Sequence, residues 1–199
     1  VGFAVESTEV LLENCTALRC KEAGFSLNNS NVILNRGCLA YHNYKLLDDA
    51  GGGVTKLSVK DTNIQTPGLR ALNSNVTLSA STDKWLGLPI DSPFSFTRNM
   101  VGMDLENTTI QTPEGYRFGT DITGAAAVDS MGDQTLFLQN FLNVNEGIKA
   151  KNSVIDCGGG YLSTFMNRVG AHLTGSTLRA AELTFDFNQE QGVLSDSSV

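Results

Sequence analysis

The sequence predicts an all-β chain: a right-handed parallel β-helix solenoid of about 22 residues per coil. Three observations predict it. Glycines recur at one spacing, apolar residues alternate with period two after each of them, and a hydroxyl residue follows in a fixed column. Internal self-similarity of this length marks solenoid architectures.

The glycines are Gly2, Gly24, Gly68, Gly102, Gly124, Gly147, Gly170 and Gly192, at spacings of 22, 44, 34, 22, 23, 23 and 22. All but one spacing read as one or two units. The spacing of 34 leaves 12 residues over, and they fall in the irregular stretch 79–101, where an insertion is expected.

The first element of each unit is a strand. One residue after the glycines stand Phe3, Phe25, Leu69, Met103, Ala125, Ile148, Ala171 and Val193, and three after come Val5, Leu27, Ala71, Leu105, Ala127, Ala150, Leu173 and Ser195. Alternation of this kind gives a strand with one buried face. A corner follows. The fifth column holds Ser7, Asn29, Asn73, Asn107, Asp129, Asn152, Gly175 and Ser197, residue types that tolerate a left-handed or turn conformation.

The sixth column holds Thr8, Ser30, Ser74, Thr108, Ser130, Ser153, Ser176 and Ser198, small hydroxyls able to bond local backbone. A second strand begins with Val10, Val32, Val76, Ile110, Ile155 and Leu178, and a looser return of about ten residues closes the unit. Stacking turns these columns into an aliphatic core and a corner ladder of Asn29, Ser30, Asn73, Ser74, Asn107, Thr108, Asn152, Ser153 and Ser176. At roughly 4.8 Å per strand, about eight coils make a rod roughly 40 Å long.

Other architectures fit less well. No window sustains a helical stripe of period 3.6. The Leu-x-x-Leu-x-Leu frame of leucine-rich repeats is absent, and a propeller blade needs about twice this period.

The chain has 199 residues with 14 Lys and Arg against 21 Asp and Glu, a formal charge of −7. Such a balance offers no basic stripe to release counterions from a phosphate backbone, so no nucleic-acid partner is expected. No run of about 18 apolar residues predicts a membrane-spanning helix, so no membrane partner is expected either. The cysteines Cys15, Cys20, Cys38 and Cys157 form no Cys-x-x-Cys, and His42 and His172 stand far apart. Neither a metal site nor a cofactor is implied, and the cysteines read as reduced, apolar fillers.

Coils such as Gly24-Phe-Ser-Leu-Asn-Asn-Ser-Asn-Val-Ile-Leu resemble the right-handed β-helix (pectin-lyase-like) superfamily. Together with Tyr41-His-Asn-Tyr44 and Gly68-Leu-Arg-Ala-Leu-Asn-Ser-Asn-Val, the pattern is similar to virion proteins (tail, fibre or capsid-associated) of tailed cyanobacterial and marine phages. The resemblance implies a structural module of a virion protein, a rigid rod with surfaces for assembly or host adhesion. It implies location in the virion after assembly in the host cytoplasm, and other virion proteins as partners. A homotrimer and contact with host surface polysaccharide are expectations of the same kind. Because the repeat runs to both ends, residues 1–199 are expected to be one β-helix segment of a longer polypeptide.

The alternative is a tailspike-like polysaccharide depolymerase, a glycoside hydrolase or lyase, which needs carboxylates on one face. Asp48 and Asp49 are the adjacent acidic pair. Neighbours on a strand point to opposite faces, and Ala50-Gly51-Gly52-Gly53 follows, so a solvated turn is the expectation and no catalytic residue is assigned. The Gly-His-Gly and Arg-x-Lys motifs of polygalacturonases are missing, as is the Asp-Pro-His-Glu of alginate epimerases. Asp121, Asp129 and Asp133 with Arg117 match no calcium motif and read as surface acids. His172 occupies the outward column of Ala4, Ser26, Arg70 and Asp104 and reads as a surface histidine. Gly158-Gly159-Gly160 lacks the Lys-Ser/Thr of a phosphate loop and reads as a turn. The sequons at Asn14, Asn28, Asn75 and Asn107 follow from the Asn-Ser corners. The stretch 79–101 carries Trp85, Phe94 and Phe96, taken as candidate binding residues because aromatic rings stack sugars or anchor protein contacts.

Overall fold

The computed structural model describes residues 1–35, 38–41, 66–79, 84–85, 88–89, 94–97, 99–111, 137–141, 145–157, 161–180 and 182–196. Among them there are strands and no helix. Among the described residues each of the first six repeats contributes one strand to each of three parallel sheets, and a seventh adds its strand to the first. The first sheet contains β1 (Phe3–Glu6), β4 (Phe25–Asn28), β7 (Pro67–Leu72), β12 (Val101–Glu106), β15 (Glu146–Lys151), β18 (Val169–Thr174) and β21 (Gln191–Asp196), in that order. The second contains β2 (Glu9–Glu13), β5 (Asn31–Asn35), β8 (Asn75–Ser79), β13 (Thr109–Gln111), β16 (Val154–Asp156) and β19 (Thr177–Arg179). The third contains β3 (Thr16–Leu18), β6 (Leu39–Tyr41), β11 (Phe94–Thr97), β14 (Phe137–Phe141), β17 (Tyr161–Phe165) and β20 (Glu182–Asp186).

Register follows the glycine alignment. Phe3, Phe25, Leu69, Met103, Ile148, Ala171 and Val193 are successive partners across the first sheet. Val10, Val32, Val76, Ile110, Ile155 and Leu178 are partners across the second. One core joins the three sheets, with Leu27, Val32 and Ala40 each at most 1% exposed. The Phe3 and Phe25 rings stack at 5.0 Å, so identical strands place identical side chains in van der Waals contact.

The first corner explains its columns. Ser7, Asn29, Asn73, Asn107, Asn152 and Gly175 all have φ between 48° and 55°, the left-handed region that Asn and Gly enter at least cost. The hydroxyl after each does two jobs. The Ser30 amide donates to Ser74 Oγ (3.2 Å), Ser74 to Thr108 Oγ1 (3.4 Å), Thr108 to Ser153 Oγ (3.1 Å) and Ser153 to Ser176 Oγ (3.0 Å). Every one of those hydroxyls donates in turn to the carbonyl two residues before it. The Asn side chains add an outer rung, from Asn152 to Asn107 to Asn73.

Four expectations change. The return is a third strand rather than loose chain. Among the described residues the first sheet holds seven strands, with β12 paired directly with β15; residues 124–136, which open the Gly124 unit, lie outside those described. Six steps of about 4.8 Å make a stack of roughly 29 Å. The excess within 79–101 narrows to 80–93, since Ser79 ends β8 and Phe94 opens β11. That interval includes β9 (Lys84–Trp85) paired antiparallel with β10 (Leu88–Pro89). Finally, Phe96 is fully buried in the core above Ala40. The alternation Phe94-Ser-Phe-Thr turns its ring inward, which leaves it no face for a ligand.

Candidate functional site

Two outward surfaces gather polar side chains. On the second sheet, Val32, Val76 and Ile110 point into the core, so the residues flanking them face solvent. Parallel pairing stacks Glu9, Asn31 and Asn75 as one row and Leu11, Ile33, Thr77 and Gln111 as another. Between them runs a groove of about 710 Å3. Asn31 Nδ2 donates to Glu9 Oε1 at 3.3 Å and Asn75 Nδ2 to Asn31 Oδ1 at 3.0 Å. Leu11 and Ile33 remain 54% and 44% exposed. An amide row beside an aliphatic row can meet a hydroxyl-bearing ligand or a partner surface through both hydrogen bonds and apolar contact. Glu9 is the one carboxylate among the groove's described lining residues, whereas glycoside hydrolysis needs two acting together.

The second surface is the outer face of the first sheet. Its register aligns Ser26, Arg70, Asp104, Lys149 and His172. Arg70 Nε lies 3.6 Å from Asp104, and Lys151 Nζ lies 2.8 Å from Glu106. Such exposed pairs contribute little singly.

His172 is more enclosed, with its side chain 26% exposed between two carboxylates. Its Nδ1 lies 2.9 Å from Glu146 Oε1 and its Nε2 3.2 Å from Asp196 Oδ2. Three successive repeats are thereby tied together. Glu146 is 6% exposed, and its Oε2 is buried without a hydrogen-bond partner. The hydrogen bond that His172 donates to Glu146 raises its pKa above the ordinary 6.5, with Asp196 adding to it against the opposing effect of burial.

A raised folded-state pKa makes this contribution complete below about pH 6.5 and removes it as pH climbs through the folded value. Thermal melts from acid to mildly alkaline pH should therefore show stability falling above the free-imidazole range. His172→Gln should flatten that dependence. An unchanged pH profile in the variant would rule the triad out as its source.

Among the predicted site residues, Asp48, Asp49, His42, Asp121, Asp129, Asp133 and Arg117 lie outside the described residues. The Trp85 backbone pairs with Leu88, while the side chains of Trp85 and Phe94 lie outside the described set. Ser30, Ser74, Thr108, Ser153 and Ser176 follow one another through the amide-to-hydroxyl bonds of the first corner. No three His, Cys, Asp or Glu side chains gather as metal ligands among the described residues. Sequence reasoning missed the groove and the His172 triad. The first was signalled by Leu11 and Ile33 standing outside the inward pairs Val10/Leu12 and Val32/Leu34. The second was signalled by an acid, a base and an acid in successive repeats.

No family model, curated protein or solved structure matches the chain.

Proposed function

We propose that the three sheets close into a right-handed parallel β-helix, and that the chain is a structural module of a phage virion protein (tail, fibre or capsid-associated). Its work is to hold a rigid rod whose flanks contact other virion proteins or the host surface. The observation that carries the mechanical part is the uninterrupted register of seven strands reinforced by a buried hydroxyl ladder. Repeats that contact only their neighbours resist bending when every interface is made in the same way. The virion assignment rests on the sequence resemblance of the coils.

Mass spectrometry of purified particles tests it. Peptides of this chain should appear in constant ratio to the other structural proteins, and particles without them would reject the assignment. A binding role for one flank is favoured by the groove between Asn31 and Ile33. Leu11→Thr combined with Ile33→Thr removes two outward apolar side chains while keeping strand-compatible residues at a directly paired position, so the folding cost stays near about 0.5 kcal/mol each. The double variant should lower incorporation into particles or adsorption to host cells by roughly tenfold, equivalent to about 1.4 kcal/mol of contact free energy. Unchanged incorporation and adsorption would remove the groove from that role.

A further inference from the structure

The second corner of the first two repeats brings two thiols together. Thr16 and Leu39 are paired residues on β3 and β6, so Cys15 and Cys38, each immediately before them, occupy neighbouring places in successive repeats. Parallel strands lie about 4.8 Å apart, inside the range of about 4.4–6.8 Å that a disulfide requires between Cα atoms. Each thiol has a backbone carbonyl of β2 within reach. Cys15 Sγ lies 3.4 Å from the Glu13 carbonyl oxygen, and Cys38 Sγ reaches across the repeat boundary to within 3.4 Å of the adjoining Leu12 carbonyl. Asn14, with φ 49°, makes the bend that sets Cys15 there. Cys15 is partly exposed and Cys38 is fully buried.

We propose that Cys15 and Cys38 form an inter-repeat disulfide when the chain meets a low-molecular-weight disulfide such as glutathione disulfide. Cys15, the accessible thiol, attacks first: its deprotonated sulfur bonds to one glutathione sulfur and expels the other as thiolate. Cys38 then loses its proton and displaces the second glutathione from Cys15. Two protein thiols are oxidised, one glutathione disulfide is reduced to two glutathiones, and both protons are accounted for.

The other cysteines differ. Cys20 sits at another corner, where its Sγ lies 3.0 Å from the space a Cβ on Gly2 would take. Cys157 stands beside Ala180 of the next repeat rather than beside a thiol, and burial pushes its own thiol up to about 12.

The reduced chain is incubated with glutathione disulfide, quenched with acid, alkylated and digested for mass spectrometry. A Cys15–Cys38 cross-linked peptide lacking two hydrogens is expected, with Cys20 and Cys157 remaining alkylatable. Cys15→Ser keeps a donor for the Glu13 carbonyl, as Ser30 does at its own corner, and should abolish the cross-link. In Cys38→Ala, Cys15 should stop at the mixed disulfide with glutathione. Full alkylation of Cys15 and Cys38 in the wild-type chain, or a cross-link to Cys20 or Cys157, would overturn the proposal. Circular dichroism showing β structure in each variant keeps the comparison between folded chains.

Discussion

Gly147→Ala is expected to destabilise the chain by about 3 kcal/mol, while Gly192→Ala costs less than about 1 kcal/mol. Replacing a strand glycine by alanine normally gains stability, because the unfolded chain loses freedom and the strand loses nothing. The sign at each position therefore depends on space. A Cβ on Gly147 would stand 2.6 Å from the Gly170 carbonyl oxygen and 2.9 Å from Asn167 Nδ2.

Neither neighbour can yield. Gly170 is backbone of the adjoining strand, and Asn167 is wholly buried, with both its amide nitrogens held on Asn188 Oδ1 at 3.1 Å. Relief would require separating two repeats. At Gly192 the tightest neighbour is the Phe185 Cβ at 3.1 Å, which needs only a few tenths of an ångström of backbone adjustment between β20 and β21, each the end strand of its sheet among the described residues. Chemical denaturation of both variants checks the contrast, and equal midpoints would show that the close approach of repeats is not what selects glycine.

The same column shows what sequence could and could not disclose. Phe25, Leu69 and Met103 were legible as partners because the segment from each glycine to its hydroxyl corner has constant length, so one alignment places every side chain. The third sheet was not legible. Ala17, Ala40 and Phe96 stack, yet the connector before them varies from repeat to repeat and destroys any fixed offset from the glycine. Phe96 consequently read as part of an insertion, although Phe94-Ser-Phe-Thr alternates with the period of a strand.

The Gly124 unit reads as a repeat for the opposite reason. Ala125, Ala127, Asp129 and Ser130 satisfy the columns, but small and polar residues are compatible with the pattern without enforcing it, and residues 124–136 lie outside those described. β12 pairs directly with β15, with Met103 and Ile148 as fully buried partners. The buried asparagines were invisible for a third reason. Asn99 and Asn167 are fully buried immediately before strands of the first sheet. Asn99 donates to the Ala40 carbonyl, a partner 59 residues away in sequence that no local pattern announces.

Ser153→Ala tests the corner ladder, with an expected cost of about 2 kcal/mol. Its hydroxyl accepts from the Thr108 amide at 3.1 Å and donates to the Lys151 carbonyl at 2.8 Å, and Ser153 and Thr108 are each 2% exposed. Removing the oxygen leaves a buried N–H with no acceptor in the repeat above. An orphaned buried donor costs more than the hydrogen bond itself contributed, since water cannot replace the lost partner. Ser153→Thr distinguishes this from loss of packing. Thr108 already serves in the same column with the same pair of bonds, so the threonine should restore most of the stability. At Thr8, whose hydroxyl is exposed and bonds only Glu9 at 3.5 Å, alanine should cost under about 0.5 kcal/mol. If Ser153→Ala and Thr8→Ala shifted the unfolding midpoint alike, the hydroxyl column would be a preference of turn composition, and the repeats would be held together by apolar stacking and strand pairing alone.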